Sequence, residues 1–258
     1  MNLRAVLLLL LSFCAGCDSQ SPAPASPPPA AKAPTAVAPQ APIASPRKPS
    51  WPGLQQGAEV ALAPDLLAKN YYLVFDGSGS MNDSQCSGST NKIEAARAAV
   101  KAFARTIPPD ANIGLLAFDN RGIAERAPLG PNQVSSINAQ IDAIRPDGGT
   151  PLLEAIRQAY KRLTAQGRKQ LGYGEYHLVV VTDGMATPDT QNPTPIVNEI
   201  LASSPVVIHT IGFCIGNQHA LNQPGRTFYK AADNPADLAK GLSEVLGESP
   251  SFDVRAFK

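Results

Sequence analysis

Aromatic residues are scarce in this chain: they fill 6% of 258 positions, with a single tryptophan. Charge is also sparse, at 17%, and balanced, with 22 Lys+Arg against 21 Asp+Glu for a net +1. A nucleic-acid binder needs a basic face to displace phosphate counterions, and this composition offers none. Histidines number three (His177, His209, His219) and are dispersed. His219 follows Cys214 by five positions, but no second ligand pair supports a zinc site. No glycine-rich P-loop is present, so the chain is not itself an ATPase. The nucleophile pattern G-x-S-x-G is not matched either, because Asp76 and Ser80 stand at its glycine positions. No serine-histidine pair or activated cysteine is visible. These absences remove most enzyme classes and leave an expectation of a non-catalytic protein.

Proline, by contrast, is abundant, with 25 residues, and its placement divides the chain. Residues 1–17 read as a secretory signal: Arg4 supplies a positive start, and Ala5 to Phe13 is apolar apart from Ser12, about half of the roughly 20 residues needed to span a bilayer. Ala15-Gly16-Cys17 then resembles a bacterial lipobox, which implies diacylation at Cys17; Cys14, preceded by bulky Phe13, is the weaker alternative. Residues 18–58 form a Pro/Ala-rich tether, with ten prolines between Asp18 and Ser50 and almost no large apolar side chain. In extended polyproline form, at about 3.1 Å per residue, the part from Asp18 to Ser50 would reach roughly 100 Å. The expected placement is therefore a bacterial cell envelope, with the folded part held off a membrane on its periplasmic or extracellular side. A folded domain is expected over 59–248, followed by a tail at 249–258.

Within the domain, short apolar runs alternate with helical patterns. Tyr71 to Phe75, Asn112 to Phe118, His177 to Thr182 and Val206 to Phe213 lack polar alternation, which suits strands buried on both faces. Gly122 to Leu129 is mixed and follows closely on its predecessor, which predicts an antiparallel edge strand. Ile93, Ala96, Val100, Phe103 and Ile107 share one helical face, with Asn91 and Glu94 placed as a capping box. Thr150-Pro151 is read as the cap of a second long helix whose inner side carries Leu153, Ile156, Tyr160 and Leu163. Asn234-Pro235 opens a last helix that buries Leu238, Leu242 and Val245, and residues 131–144 and 194–203 supply two more. The pattern predicts an α/β fold: a doubly wound, mostly parallel sheet with helices on both faces.

In such sheets the chemistry gathers at the strands' carboxyl ends. Three loops meet that description: Asp76-Gly77-Ser78-Gly79-Ser80, Asp147-Gly148-Gly149-Thr150 and Thr182-Asp183-Gly184. Their donors are all oxygens, which suits a hard divalent cation, Mg²⁺ foremost and then Mn²⁺ or Ca²⁺. Asp76, Ser78 and Ser80, with Thr150 and Asp183, resemble the metal-ion-dependent adhesion site of von Willebrand factor type A domains. The resemblance spans about Leu66 to Gly247 and is nearest to bacterial membrane-anchored members related to calcium-activated chloride channel-type proteins, although no channel activity carries over. It implies that Ser78, Ser80 and often Thr150 ligate directly, with Asp76 and Asp183 acting through water. It also implies a protein partner whose Asp or Glu completes the coordination shell. Two alternatives stand beside it: a structural subunit of an envelope complex whose metal only stabilises the fold, and a metal-dependent hydrolase with Asp76 as nucleophile. Ser78 stands where that hydrolase would carry a second acid.

Two cysteines, Cys86 and Cys214, remain near the same edge. In an exported protein they either pair as a disulfide or stay as separate thiols. Asp119 ends another strand and reads as a turn residue or part of the rim. The segment 214–225 is an irregular insertion that either selects partners or only packs. Lys161, Arg162, Arg168 and Lys169 form a basic cluster expected at the opposite end of the sheet.

Overall fold

The structure, a computed structural model, describes residues 51–53 and 60–247. The signal, most of the tether, Cys17 and the tail lie outside the described residues.

Six strands form one sheet: β1 (Lys69–Asp76), β2 (Asn112–Asp119), β3 (Gly122–Gly130), β4 (Glu175–Thr182), β5 (Val207–Phe213) and β6 (Phe228–Ala232). Their spatial order is β3-β2-β1-β4-β5-β6. Only β2 and β3 pair antiparallel; every other neighbour is parallel. The mixed strand β3 thus sits at the edge, as its half-exposed pattern requires, while β1, β2 and β4 are buried almost throughout. β6 is the strand the hydrophobic runs do not reveal: Phe-Tyr-Lys-Ala-Ala is short and mixed and occupies the other edge.

Helices cover both faces. On one, α1 (Lys92–Thr106), α2 (Val134–Ala143) and α5 (Pro235–Gly247) pack against Tyr71, Leu73, Phe75 and Ile211. On the other, α3 (Leu152–Lys169) and α4 (Thr194–Ser203) cover Tyr72, Val74, Leu178 and Val180. The α1 face is the predicted one: Ile93, Ala96, Val100, Phe103 and Ile107 are all buried. Its capping box is half made. Asn91 Oδ1 accepts the Glu94 N–H at 3.2 Å, but the Glu94 carboxylate turns to Arg97.

The seam of α3 departs from the expected one. Leu152, Ala155, Ile156, Ala159 and Leu163 are buried, whereas Leu153 and Tyr160 are half-buried at its flank. Alanines at 155 and 159 let the helix approach the sheet closely, and a pattern read from large side chains passes over them. The cap also differs. Pro151 takes the N-cap position with no side-chain cap bond.

Trp51 to Gly53 fall in the stretch read as tether, yet they pack on the domain. The Trp51 ring meets Tyr176 edge-on at 4.6 Å, and its indole N–H donates to Thr164 Oγ1 at 3.3 Å. Gly167 on α3 makes room for the indole: a Cβ there would lie 2.4 Å from it. Arg168, one of the basic cluster, donates to the Gly53 carbonyl at 3.2 Å. Nearby, Asn70, Asn112 and Gln170 form a buried amide network. Asn112 Nδ2 donates to Asn70 Oδ1 at 2.9 Å, and the two protons of Asn70 Nδ2 are shared among Gln170 Oε1 at 2.8 Å and the Ala68 and Glu175 carbonyls at 2.9 Å. The three amides thereby satisfy one another and nearby carbonyls.

Candidate metal centre

Strand order reverses about β1, whose carboxyl end is flanked by those of β2 and β4. The three oxygen-rich loops emerge there and are tied together by backbone bonds. The Gly79 N–H donates to the Gly148 carbonyl at 3.0 Å, and the Asp147 N–H to that of Gly77 at 2.9 Å. The Thr187 N–H donates to the Thr150 carbonyl at 3.0 Å, and the Thr150 N–H returns a bond to Thr187 Oγ1 at 2.7 Å. The Thr150 backbone is committed to the neighbouring loop, and among the described residues its hydroxyl makes no hydrogen bond. Gly77 allows the close approach, since a Cβ would lie 2.7 Å from the Phe118 carbonyl and 2.8 Å from Ile144.

All five predicted oxygen donors meet at this edge. Asp76 is fully buried, its Oδ1 accepting the Ser78 N–H at 2.8 Å and its Oδ2 the Thr182 hydroxyl. Ser78 Oγ and Ser80 Oγ are 3.1 Å apart, and Ser80 Oγ donates to Asp183 Oδ1 at 2.8 Å. Thr150 joins from the third loop: a Cβ on Gly184 would lie 3.2 Å from Thr150 Oγ1 and 3.7 Å from Ser80 Oγ. Burial, reinforced by the nearby Asp183 charge, pushes the Asp76 carboxyl up to about 6, against the hydrogen bonds from Ser78 and Thr182. A cation between these side chains would remove that penalty, and three hydroxyls with two carboxylates form a hard-oxygen donor set that fits one. The described residues contain no cluster of three or more His, Cys, Asp or Glu.

One charged group at this edge escapes the sequence reading. Lys92, the first residue of α1, is 4% exposed, and its Nζ lies 2.8 Å from Asp183 Oδ2. A signal existed: a lysine in the first turn of a helix opposes the helix dipole and calls for a local anion.

The surrounding features take definite places. Cys86 and Cys214 form a disulfide with Cα atoms 5.9 Å apart, joining the loop after Ser80 to the segment after β5. Both half-cystines have positive φ, 57° and 64°, a conformation that non-glycine residues adopt at a cost. His219 is no zinc ligand: its Nδ1 accepts the Leu221 N–H at 3.1 Å and its Nε2 faces the Gly184 carbonyl at 3.2 Å. It thereby fastens the 214–225 insertion to the Asp183 loop. Asp119 is a buried ion-pair centre with Arg126 at 2.7 Å and Arg121 at 2.9 Å. Burial raises its carboxyl, but the two guanidinium groups outweigh that and hold it below its usual range. His177 and His209 lie within the sheet, 3.2 Å apart through ring nitrogens, away from this edge.

Comparison with known proteins agrees with this architecture. Residues 71–185 match the family model described as von Willebrand factor type A domain. The Bacillus subtilis (strain 168) protein named Uncharacterized protein YwmD is 28% identical over 158 residues, 56% of this chain and 67% of that one. Among solved structures, the D319A mutant of the PilB minor pilin from Streptococcus sanguinis is similar with a TM-score of 0.57 at 14% identity, covering 72% of this chain and 62% of that one. The SpRpn10 VWA domain gives 0.55 at 14%, covering 69% and 95%. The pilus adhesin SpaC from Lactobacillus rhamnosus GG gives 0.53 at 18%, covering 73% of this chain but 31% of the adhesin. At these identities the structural likeness speaks for the fold.

Proposed function

We propose, on the premise that the chain carries a von Willebrand factor type A domain, that it is a membrane-anchored, extracytoplasmic binding module. It uses a divalent cation to capture an acidic residue of a protein partner. The observation that carries this reading is the convergence of the Asp76, Ser78, Ser80, Thr150 and Asp183 side chains from three loops that are bonded to one another. Ser78, Ser80 and Thr150 would hold the ion directly, with Asp76 and Asp183 behind water. A cation so held supplies an electrophilic position for an outside carboxylate. Similarity to a pilus adhesin and a minor pilin is consistent with a role in binding. The envelope placement rests on the signal-like segment, Cys17 and the tether. Catalysis is not expected, since Ser78 occupies the position where a phosphoryl-accepting aspartate would need a second acid.

The test is partner capture from membranes by the full chain, with Mg²⁺ and with EDTA. Capture is expected to require the ion and to be lost in Asp76→Ala and Thr150→Ala, both retaining the native circular dichroism. Capture that persists through chelation and both substitutions refutes the mechanism. A second reading, in which the ion serves only the fold, is favoured by one observation: Asp76 is fully buried beside Asp183, so an ion there would stabilise the domain directly. A large fall in melting temperature on chelation, with capture unchanged, identifies that case.

A further inference from the structure

We infer that Lys92 is a built-in cation that makes the metal and the partner's carboxylate bind as a coupled pair. This inference rests on the metal-binding reading of the site and deepens it.

A buried ammonium is costly to desolvate, and placing it in the first turn of α1 opposes the helix dipole. The apolar face of α1 is built from Ile93, Ala96, Val100 and Phe103, and Lys92 is buried beside it. What the lysine touches is Asp183. That carboxylate is divided between two partners: Oδ1 accepts from Ser80 Oγ and Oδ2 from Lys92 Nζ, each at 2.8 Å. The Asp183 side chain is completely buried and that of Lys92 is 5% exposed, so solvent screens the pair little.

The charge count follows. Asp76 and Asp183 alone would neutralise a divalent ion, leaving no electrostatic demand for an outside anion. With Lys92 present the two carboxylates and the ammonium carry one net negative charge. A divalent ion then leaves the buried edge with one net positive charge, and a single carboxylate from a partner restores neutrality. In a poorly screened site this difference is large. The ion alone is held weakly, the ion with an anion strongly, and by linkage each raises the affinity of the other equally. Without an ion, Lys92 keeps Asp183 in place as its counter-charge, so the apo site persists.

The experiment measures Mg²⁺ binding by calorimetry on the full chain, in wild type, Lys92→Met and Lys92→Arg. Acetate serves as the monocarboxylate probe, against chloride of equal ionic strength. Lys92→Met is expected to bind Mg²⁺ alone at least about tenfold more tightly than wild type. Acetate should strengthen Mg²⁺ binding several-fold in wild type and in Lys92→Arg, and less than about twofold in Lys92→Met. The metal-free melting temperature should fall in Lys92→Met and stay near wild type in Lys92→Arg. Folded Lys92→Met with unchanged or weaker Mg²⁺ affinity overturns the proposal, as does a wild type indifferent to acetate. If Lys92→Met does not fold, Lys92→Gln carries the same comparison. Failure of the underlying metal reading looks different: no folded variant, wild type included, then binds Mg²⁺, Mn²⁺ or Ca²⁺.

Discussion

The two ends of the sheet both bury polar groups, and they do so in opposite ways. At the amino ends of β1, β2 and β4, the amides of Asn70, Asn112 and Gln170 form a network of neutral groups that satisfy one another and nearby carbonyls. At the carboxyl ends, the polar groups include two carboxylates and an ammonium, with three hydroxyls beside them. The first arrangement is closed: it needs nothing from outside and gains nothing from a ligand. The second is electrically incomplete. Burial is equally deep at Asn70 and Asp76, so accessibility does not distinguish the two clusters; their charge does.

That contrast can be broken at either end. The largest effect is expected from Cys86→Ser with Cys214→Ser, which unties the loops of the carboxyl edge. The crosslink joins residues 128 apart, and the chain-entropy model puts the loss at about 4 to 5 kcal/mol, measurable by denaturant unfolding. At the amino edge, Asn70→Leu should cost about 2 to 3 kcal/mol by leaving Asn112 Nδ2 and Gln170 Oε1 without their partner, and Mg²⁺ should not rescue it. A pH titration separates the ends more finely. Folded Asp76 keeps its proton up to about pH 6, against the usual carboxylate value of 3.8. Between those values the folded chain holds more protons than the unfolded one, so this residue's contribution to metal-free stability falls as pH rises through the window. Relative to Asp76→Asn, wild type should therefore lose about 2 kcal/mol between pH 4 and 7 without metal, and regain it with Mg²⁺. Asn70→Leu should leave that difference untouched. The smallest effect is expected from Trp51→Ala, about 1 to 2 kcal/mol for a half-buried indole, with Mg²⁺ affinity unchanged.

Much of the fold was legible because its driving force is local in the chain. Runs such as Tyr71 to Phe75 and His177 to Thr182 carry no polar alternation, and only a strand covered on both faces accommodates them. The gathering of Asp76, Ser78, Ser80, Thr150 and Asp183 at one edge was legible for a related reason: each follows a strand or precedes a helix, so the topology itself brings them together. What escaped depends on contacts between distant residues or on small side chains. Lys92 reads as a solvated lysine until Asp183, 91 positions away, is placed beside it. The seam of α3 runs through Ala155 and Ala159, which carry little hydrophobic signal. The helix cap falls at Pro151 instead of Thr150, whose backbone bonds Thr187 in another loop. Trp51 is surrounded in sequence by prolines and polar residues, and only the vacancy above Gly167 explains where it goes.

That tryptophan also has a mechanical consequence. A pull travelling along the chain from its amino-terminal side meets the indole wedged against Tyr176 and α3 before it arrives at β1. Tension would therefore be spent first on extracting one aromatic ring, and the central strand, whose far end carries Asp76, would be shielded until that ring lets go.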